Sequence, residues 1–131
     1  MQQVLIQATN KSEETVTKQH LASSVGSGLA EVYATPMMVA LMENSAMNCL
    51  APFLDEGETS VGTEISVSHI SATPLGMKVY AISTITAVEG RKVDFKIEAF
   101  DECGKIGTAM HTRFVVNSEK FIQKANSKYN V

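Results

Sequence analysis

Cysteine, unbroken apolar runs and excess positive charge are all scarce in this chain, and each shortage excludes something. Two cysteines among 131 residues are too few for a disulfide framework. Cys49 falls in an apolar stretch and Cys103 in a turn, so a reduced, cytoplasmic protein is expected. CxxC and HExxH are both missing, so no metal site is expected. No segment approaches the ~20 apolar residues that a membrane span needs. The opening MQQVLIQATNKSEE has neither a basic start nor a long apolar core, so no secretory leader is expected. Eleven Lys and Arg against 14 Asp and Glu give a net charge of −3, which argues against a nucleic-acid surface. What remains is 44% hydrophobic and 19% charged, the balance of a soluble globular protein. Its length suffices for one real core. No repeat or linker divides it, so residues 1–131 read as one domain.

The stretch Glu31–Pro52, EVYATPMMVALMENSAMNCLAP, carries the long helical signal. Thr35 suits an N-cap and Pro36 the first helical position. Pro52 pushes the residue before it out of the α region. The result is a helix of about four turns, ~24 Å long. Elsewhere the segments are shorter. Residues 3–9 suggest a first strand. Ser12 with Glu13 and Glu14 resembles a capped helix start, with a short helix running to about Ser24. His20 in that helix reads as an ordinary surface histidine. From Asp55 to Asn117 the period changes from 3.6 to 2. Strands are predicted at 61–69, 77–88, 92–100 and 105–117, with Glu89-Gly90-Arg91 and Asp101-Glu102-Cys103-Gly104 as hairpin turns. The tail from Ser118 is polar, a short helix or frayed.

Four antiparallel strands in a meander have one apolar face to cover, and the long helix is the element apolar enough to cover it. The expected class is α+β: a sheet wrapped around one central helix, the hotdog arrangement. Such a sheet has open edges, so at least a homodimer is expected, by edge-to-edge pairing.

Three polar residues fall where polar residues are awkward. Glu43 shares a helix face with Val39, Ala46, Met47 and Leu50, which predicts a carboxylate inside an apolar stripe, with Asn44, Ser45 and Asn48 on the other side. A charge there is costly unless paired. His69 shares a strand face with Val61, Thr63, Ile65 and Val67. Thr35 lies at the positive end of the helix dipole. Thr35 and Glu43 are eight positions apart, ~12 Å along the axis, so a substrate or a water is expected between them rather than a direct bond. A carboxylate in apolar surroundings suits a general base, and a helix N-terminus suits an oxyanion. Gly62 offers a backbone N–H unobstructed by a side chain.

The segments Val32-Tyr33-Ala34-Thr35, Val39-Ala40-Leu41-Met42-Glu43 and Gly62 through Pro74 resemble the fluoroacetyl-CoA thioesterase group of the hotdog superfamily. The likeness continues through Val88-Glu89-Gly90-Arg91, Gly107-Thr108, His111, Arg113 and Glu119-Lys120-Phe121, so it covers roughly residues 29–121 in order and spacing. The resemblance implies hydrolysis of an acyl-CoA thioester, with no cofactor beyond the CoA of the substrate. It assigns Thr35, Glu43 and His69 as the catalytic set: Thr35 to orient the acyl group, Glu43 to activate water or attack the carbonyl, His69 to assist proton transfer. Gly62 matches the glycine whose amide meets the thioester. Leu29 stands where the fluoroacetate enzyme has an aromatic gate, so a short-chain acyl-CoA is the expected substrate class. Arg113 and Lys120 are candidate contacts for the CoA phosphates. Two alternatives stand beside this reading. One is a hotdog hydratase or dehydratase, whose hydration motif is missing. The other is a non-catalytic acyl-CoA binder, which retention of all three residues argues against.

Overall fold

The computed structural model describes residues 1–130; Val131 lies outside the described residues. The long helix α2 spans Thr35–Leu50 and continues into a 3-10 turn at Ala51–Phe53 that contains Pro52. Its start is one residue from the expected place. Ala34, extended at φ −72° and ψ 141°, is the N-cap, and no side chain caps the helix there. Thr35 is the first helical residue, which releases its hydroxyl for another use. The helix is also rotated from the expected orientation. Its buried arc is Met38, Leu41, Met42, Ser45, Ala46, Cys49 and Leu50. Ser45, expected on the polar side, is fully buried and hydrogen-bonds Ser83 and the Met42 carbonyl. Glu43 falls on the flank of the arc, and its side chain is 42% exposed, not buried as expected. The physical reason is that apolar residues surround this helix. Val39 and Met47 leave its preferred face undecided until a sheet meets one side.

That sheet has five strands, all antiparallel, in the order β1-β3-β4-β5-β2. They are β1 Thr9–Thr15, β2 Glu58–His69, β3 Lys78–Glu89, β4 Lys92–Asp101 and β5 Gly104–Asn117. The meander holds for β3, β4 and β5. It fails for β2, which pairs with β5 at the far edge instead of with β3. The link from Ile70 to Met77 is too long for a hairpin. It crosses the end of the sheet, where Ile70 N–H donates to the Ile106 carbonyl at 2.8 Å and Thr73 Oγ1 to Asp101 Oδ2 at 2.7 Å.

Residues 3–8 are not a strand, and Ser12-Glu13-Glu14 does not start a helix; those three lie inside β1. Helix is confined to a 3-10 turn at Lys18–His20 and the single turn α1 at Ala22–Val25. Tertiary bonds override the local cap signal. Asn10 Nδ2 donates to the Ser45 carbonyl at 3.2 Å, Ser12 Oγ to Asn44 Oδ1 at 2.8 Å, and the buried Tyr33 hydroxyl to Glu14 Oε2 at 2.6 Å. The tail forms helix α3, Ser118–Asn126, capped by the Asn117 side chain.

The core lies between α2 and β3–β4. Val79, Ile85, Val93, Phe95 and Ile97 are fully buried under Met38, Met42 and Leu50. Helix α2 packs chiefly on β1 and β3 and touches β2 lightly. The inner face of β2 is therefore left half-covered, with Ile65 and Val67 only partly buried. A register shift between Gly62 and Glu64 also changes which residues face in. Ser60 and Gly62 pair with Val115 and Arg113, and Ile65, Val67 and His69 with His111, Ala109 and Gly107. Val61 and Thr63, expected on the inner face, are turned out of it by the bulge.

Candidate active site

At the C-terminal end of β2, His69 pairs with Gly107. A Cβ on Gly107 would lie 2.7 Å from both Sδ and Cε of the buried Met38. The glycine thus lets the first turns of α2 come close to the strand, and Thr35 comes with them. Thr35 Oγ1 is 2.8 Å from His69 Nδ1. The other ring nitrogen, Nε2, is buried and has no hydrogen-bond partner among the described residues. Burial holds the His69 pKa below the usual histidine value, with the Ser71 backbone pulling the other way. A neutral ring in contact with a hydroxyl can take its proton, and the dipole of α2 points its positive end at the same place. Thr35 and His69 line a cavity of about 360 Å³ together with Tyr33, Ser71 and Leu29. Leu29 is 95% exposed and stands at the cavity rim.

Glu43 belongs to a second group, around Gly62. Its Oε2 is 4.0 Å from Arg113 Nη1. Arg113 is 6% exposed, so its guanidinium is enclosed within this group. Its guanidinium donates from Nε to Ser60 Oγ at 2.8 Å, from Nη2 to the Ser60 carbonyl at 2.9 Å, and from Nη1 to His111 Nε2 at 3.2 Å. Guanidinium nitrogens only donate, so His111 Nε2 accepts and the ring proton sits on Nδ1. That nitrogen is 2.7 Å from the Glu64 carbonyl, just past the bulge. Burial, with the Arg113 charge adding to it, keeps the His111 pKa below its ordinary value, against the pull of the Glu64 carbonyl and Glu43. A Cβ on Gly62 would meet His111 Cε1 at 3.1 Å, Arg113 Nη1 at 3.4 Å and Glu43 Oε2 at 3.4 Å. The missing side chain keeps this polar pocket open.

Six of the seven expected site residues therefore form two half-sites, and Lys120 lies apart from both in α3. Thr35, His69 and Leu29 share one cavity, while Glu43, Gly62 and Arg113 meet at the other half of β2. Gly62 and His69 are seven positions apart, ~23 Å along a strand. Thr35 and Glu43 form no hydrogen bond with each other among the described residues, in line with their spacing. His111 and Ser60 were missed as site residues. His111 could have been found from the alternation of 107, 109, 111, 113 and 115 on β5, which puts both a histidine and an arginine on the inward face. Ser60 could not, because the bulge breaks the alternation of β2.

The family model for fluoroacetyl-CoA-specific thioesterases matches residues 16–119. The fluoroacetyl-CoA thioesterase of Streptantibioticus cattleyicolor is 42% identical over 98 residues, spanning 75% of this chain and 70% of that protein. A solved structure of a fluoroacetyl-CoA thioesterase superposes with a TM-score of 0.91 at 32% identity, covering 96% of this chain and 98% of that one. A thioesterase-superfamily member from Thermus thermophilus superposes with a TM-score of 0.90 at 24% identity, covering 99% and 98%, a likeness of fold.

Proposed function

The chain belongs to the fluoroacetyl-CoA-specific thioesterase family, and from that membership we propose that it hydrolyses a short-chain acyl-CoA thioester to the free acid and CoA. The observation that carries this reading is the 2.8 Å contact between Thr35 Oγ1 and His69 Nδ1 at the start of α2. It joins a hydroxyl, a histidine of lowered pKa and a helix N-terminus in one cavity.

The two half-sites combine if the chain is a homodimer. Strand β2 is an edge strand paired on one side alone, with half-covered Ile65 and Val67 on its inner face, and Met47 of α2 is 39% exposed. Antiparallel pairing of two β2 edges brings the His69 end of one strand to the Gly62 end of the other. The thioester then lies between Glu43 of one subunit and Thr35 with His69 of the other. Glu43 takes a proton from water, and the oxygen adds to the carbonyl carbon. The Gly62 N–H and the start of α2 hold the oxyanion. The C–S bond breaks, the proton passes from Glu43 by way of His69 to the departing sulfur, and CoA leaves as the thiol. Thr35 orients the acyl group and fixes the ring. No cofactor enters this sequence, because CoA arrives with the substrate.

A second reading follows from the same contact. Thr35 Oγ1 adds to the carbonyl carbon while its proton passes to His69 Nδ1, the C–S bond breaks and CoA leaves as the thiol carrying that proton, and water then hydrolyses the acyl-threonine ester. The small, exposed Leu29 at the rim supports acyl selectivity broader than fluoroacetyl. With so few cysteines, the cytoplasm is the compartment proposed.

The test is free-thiol release from a panel of short acyl-CoAs, read with a thiol reagent. Glu43→Gln is expected to remove most activity while leaving melting temperature and oligomeric state unchanged. No release across the panel would end the thioesterase reading. An acyl adduct on Thr35, seen by mass spectrometry after rapid quenching, would select the second mechanism.

A further inference from the structure

The contact between Thr35 and His69 is solvent-exposed and joins residues 34 positions apart. Water competes for both groups, so the hydrogen bond alone does little to hold them together. Helix α2 also touches β2 only lightly, so packing between the two elements does not fix the distance. It has to be set by the segments that carry the two side chains. One is Val32 to Thr35, which leads into α2. The other is the crossover that leaves β2 after His69. Both line the cavity of about 360 Å³.

The two segments are joined at Thr73. Its carbonyl accepts the Tyr33 N–H at 2.9 Å, two residues before Thr35. Next to this bond, Val32 and Pro74 form an isolated antiparallel bridge. On the other side, Thr73 lies two residues from Ser71, whose backbone is close enough to the His69 ring to favour its protonated form. Thr73 thus lies between the approach to Thr35 and the backbone that faces His69.

Thr73 is held in turn by Asp101. Thr73 is fully buried and Asp101 nearly so. Thr73 Oγ1 donates to Asp101 Oδ2 at 2.7 Å, and Asp101 Oδ1 accepts the N–H groups of Cys103 at 2.8 Å and Gly104 at 3.2 Å. These three donors satisfy a carboxylate that has no ion pair among the described residues. Asp101 pairs with Val79 of β3 on one side and Gly104 of β5 on the other, so it is fixed in the sheet. The rest of the crossover is tied more weakly. The N–H groups of Ile70 and Ser71 share one acceptor, the Ile106 carbonyl, at 2.8 and 3.3 Å. Among the described residues, the bond from Thr73 is the one side-chain hydrogen bond from residues 70–76 to the sheet.

Resting on the acyl-CoA reading above, we propose that Thr73 and Asp101 are positioning residues for the reaction. Neither lines the cavity. Their hydrogen bond sets the reach between Thr35 Oγ1 and His69 Nδ1 by anchoring the crossover to which both segments are tied.

The test compares Thr73→Val, which keeps the shape and removes the donor, with Thr73→Ser, which restores the donor. A misplacement of about 1 Å costs on the order of 100-fold in rate, so Thr73→Val is expected to lower kcat for a short acyl-CoA by about tenfold or more with KM unchanged. Thr73→Ser is expected to stay within about twofold of the unaltered protein. A second readout is nitrogen-15 NMR of the His69 ring, which a loss of stability alone would not move. The Nδ1 signal should shift toward that of a free imidazole in Thr73→Val and stay in place in Thr73→Ser. The His111 signals, from the other half-site, should be unmoved in both. Normal kcat in Thr73→Val, or lowered kcat with the His69 signal in place, overturns the proposal. If Thr73→Val does not fold, Thr73→Ala, which leaves room for a water on Asp101, takes its place with the same expectations. Failure of both to fold would make the bond a support of the fold alone and overturn the positioning role. An unaltered protein that releases no thiol ends the thioesterase reading. The His69 signal then decides by itself: unmoved, it overturns the link from Thr73 to the contact, and shifted, it upholds that link.

Discussion

Add one methyl group at Gly62. The backbone there does not lie at positive φ, so alanine is accommodated, and a strand gains about 0.5–1 kcal/mol when glycine is replaced by alanine. Against this, the methyl would stand 3.1 Å from His111 Cε1. The histidine, 3% exposed, must shift by a few tenths of an ångström, a mild overpacking worth about 1 kcal/mol. The two effects nearly cancel. The melting temperature of Gly62→Ala should stay within about 4 °C of the unaltered protein. Activity should behave differently. The same methyl lies 3.4 Å from both Arg113 Nη1 and Glu43 Oε2, in the space proposed for the reacting carbonyl. Pushing that carbonyl by about 1 Å costs on the order of 100-fold in rate. The assays are thiol release from an acyl-CoA and thermal melting on the same preparation. An unchanged kcat/KM would refute the placement of the thioester at Gly62. A collapse in melting temperature would mean that Gly62 serves the fold instead.

Three further outcomes are expected. His69 and His111 both have pKa values below the ordinary 6.5, so the folded state prefers neutral rings while the unfolded state takes up protons near pH 6.5. Their contribution to stability is complete above that pH and is lost as the pH falls toward the folded values; melting temperature should drop between pH 7 and 5. Nitrogen-15 NMR at pH 7 should find the His111 proton on Nδ1, and a doubly protonated ring would contradict the contact from Arg113. Gly107→Ala should destabilise by about 1–3 kcal/mol, because the new Cβ collides with Met38. It should also lower thiol release by separating Thr35 from His69, and a variant with normal melting and normal kinetics would refute the close approach.

The strands β3, β4 and β5 were legible because their alternation is clean and their partners are close in sequence. The ends of α2 were legible to within a residue from Pro36 and Pro52. Its rotation was not, since Val39 and Met47 compete with Met38 and Met42 for the same sheet. Strand β1 was hidden because TNKSEET contains no apolar residue. What makes it a strand is its pairing with β3 and its bonds to Tyr33, Asn44 and Ser45, all distant in sequence. Thr35, Glu43 and His69 stood out as misplaced polar groups, but their partners did not. Thr35 meets His69 across 34 positions, and Arg113 meets Ser60 across 53. Local pattern carries the inventory of such a site, while its connections depend on which strand takes which edge.

The two edges of the sheet differ in kind. At one end β1 presents a wholly polar strand with charged Lys11 and Glu13 outward and exposed, a surface that discourages a further strand. At the other, β2 presents valine and isoleucine beside an open row of backbone donors and acceptors. A sheet adhesive at both edges would add copies without limit and become a fibre. In the homodimer proposed above, one blunt edge and one open edge would allow a single joining event between sheets. On the proposed dimer the residues of β1, at the opposite edge from the joining strand, would set the number of copies at which assembly stops.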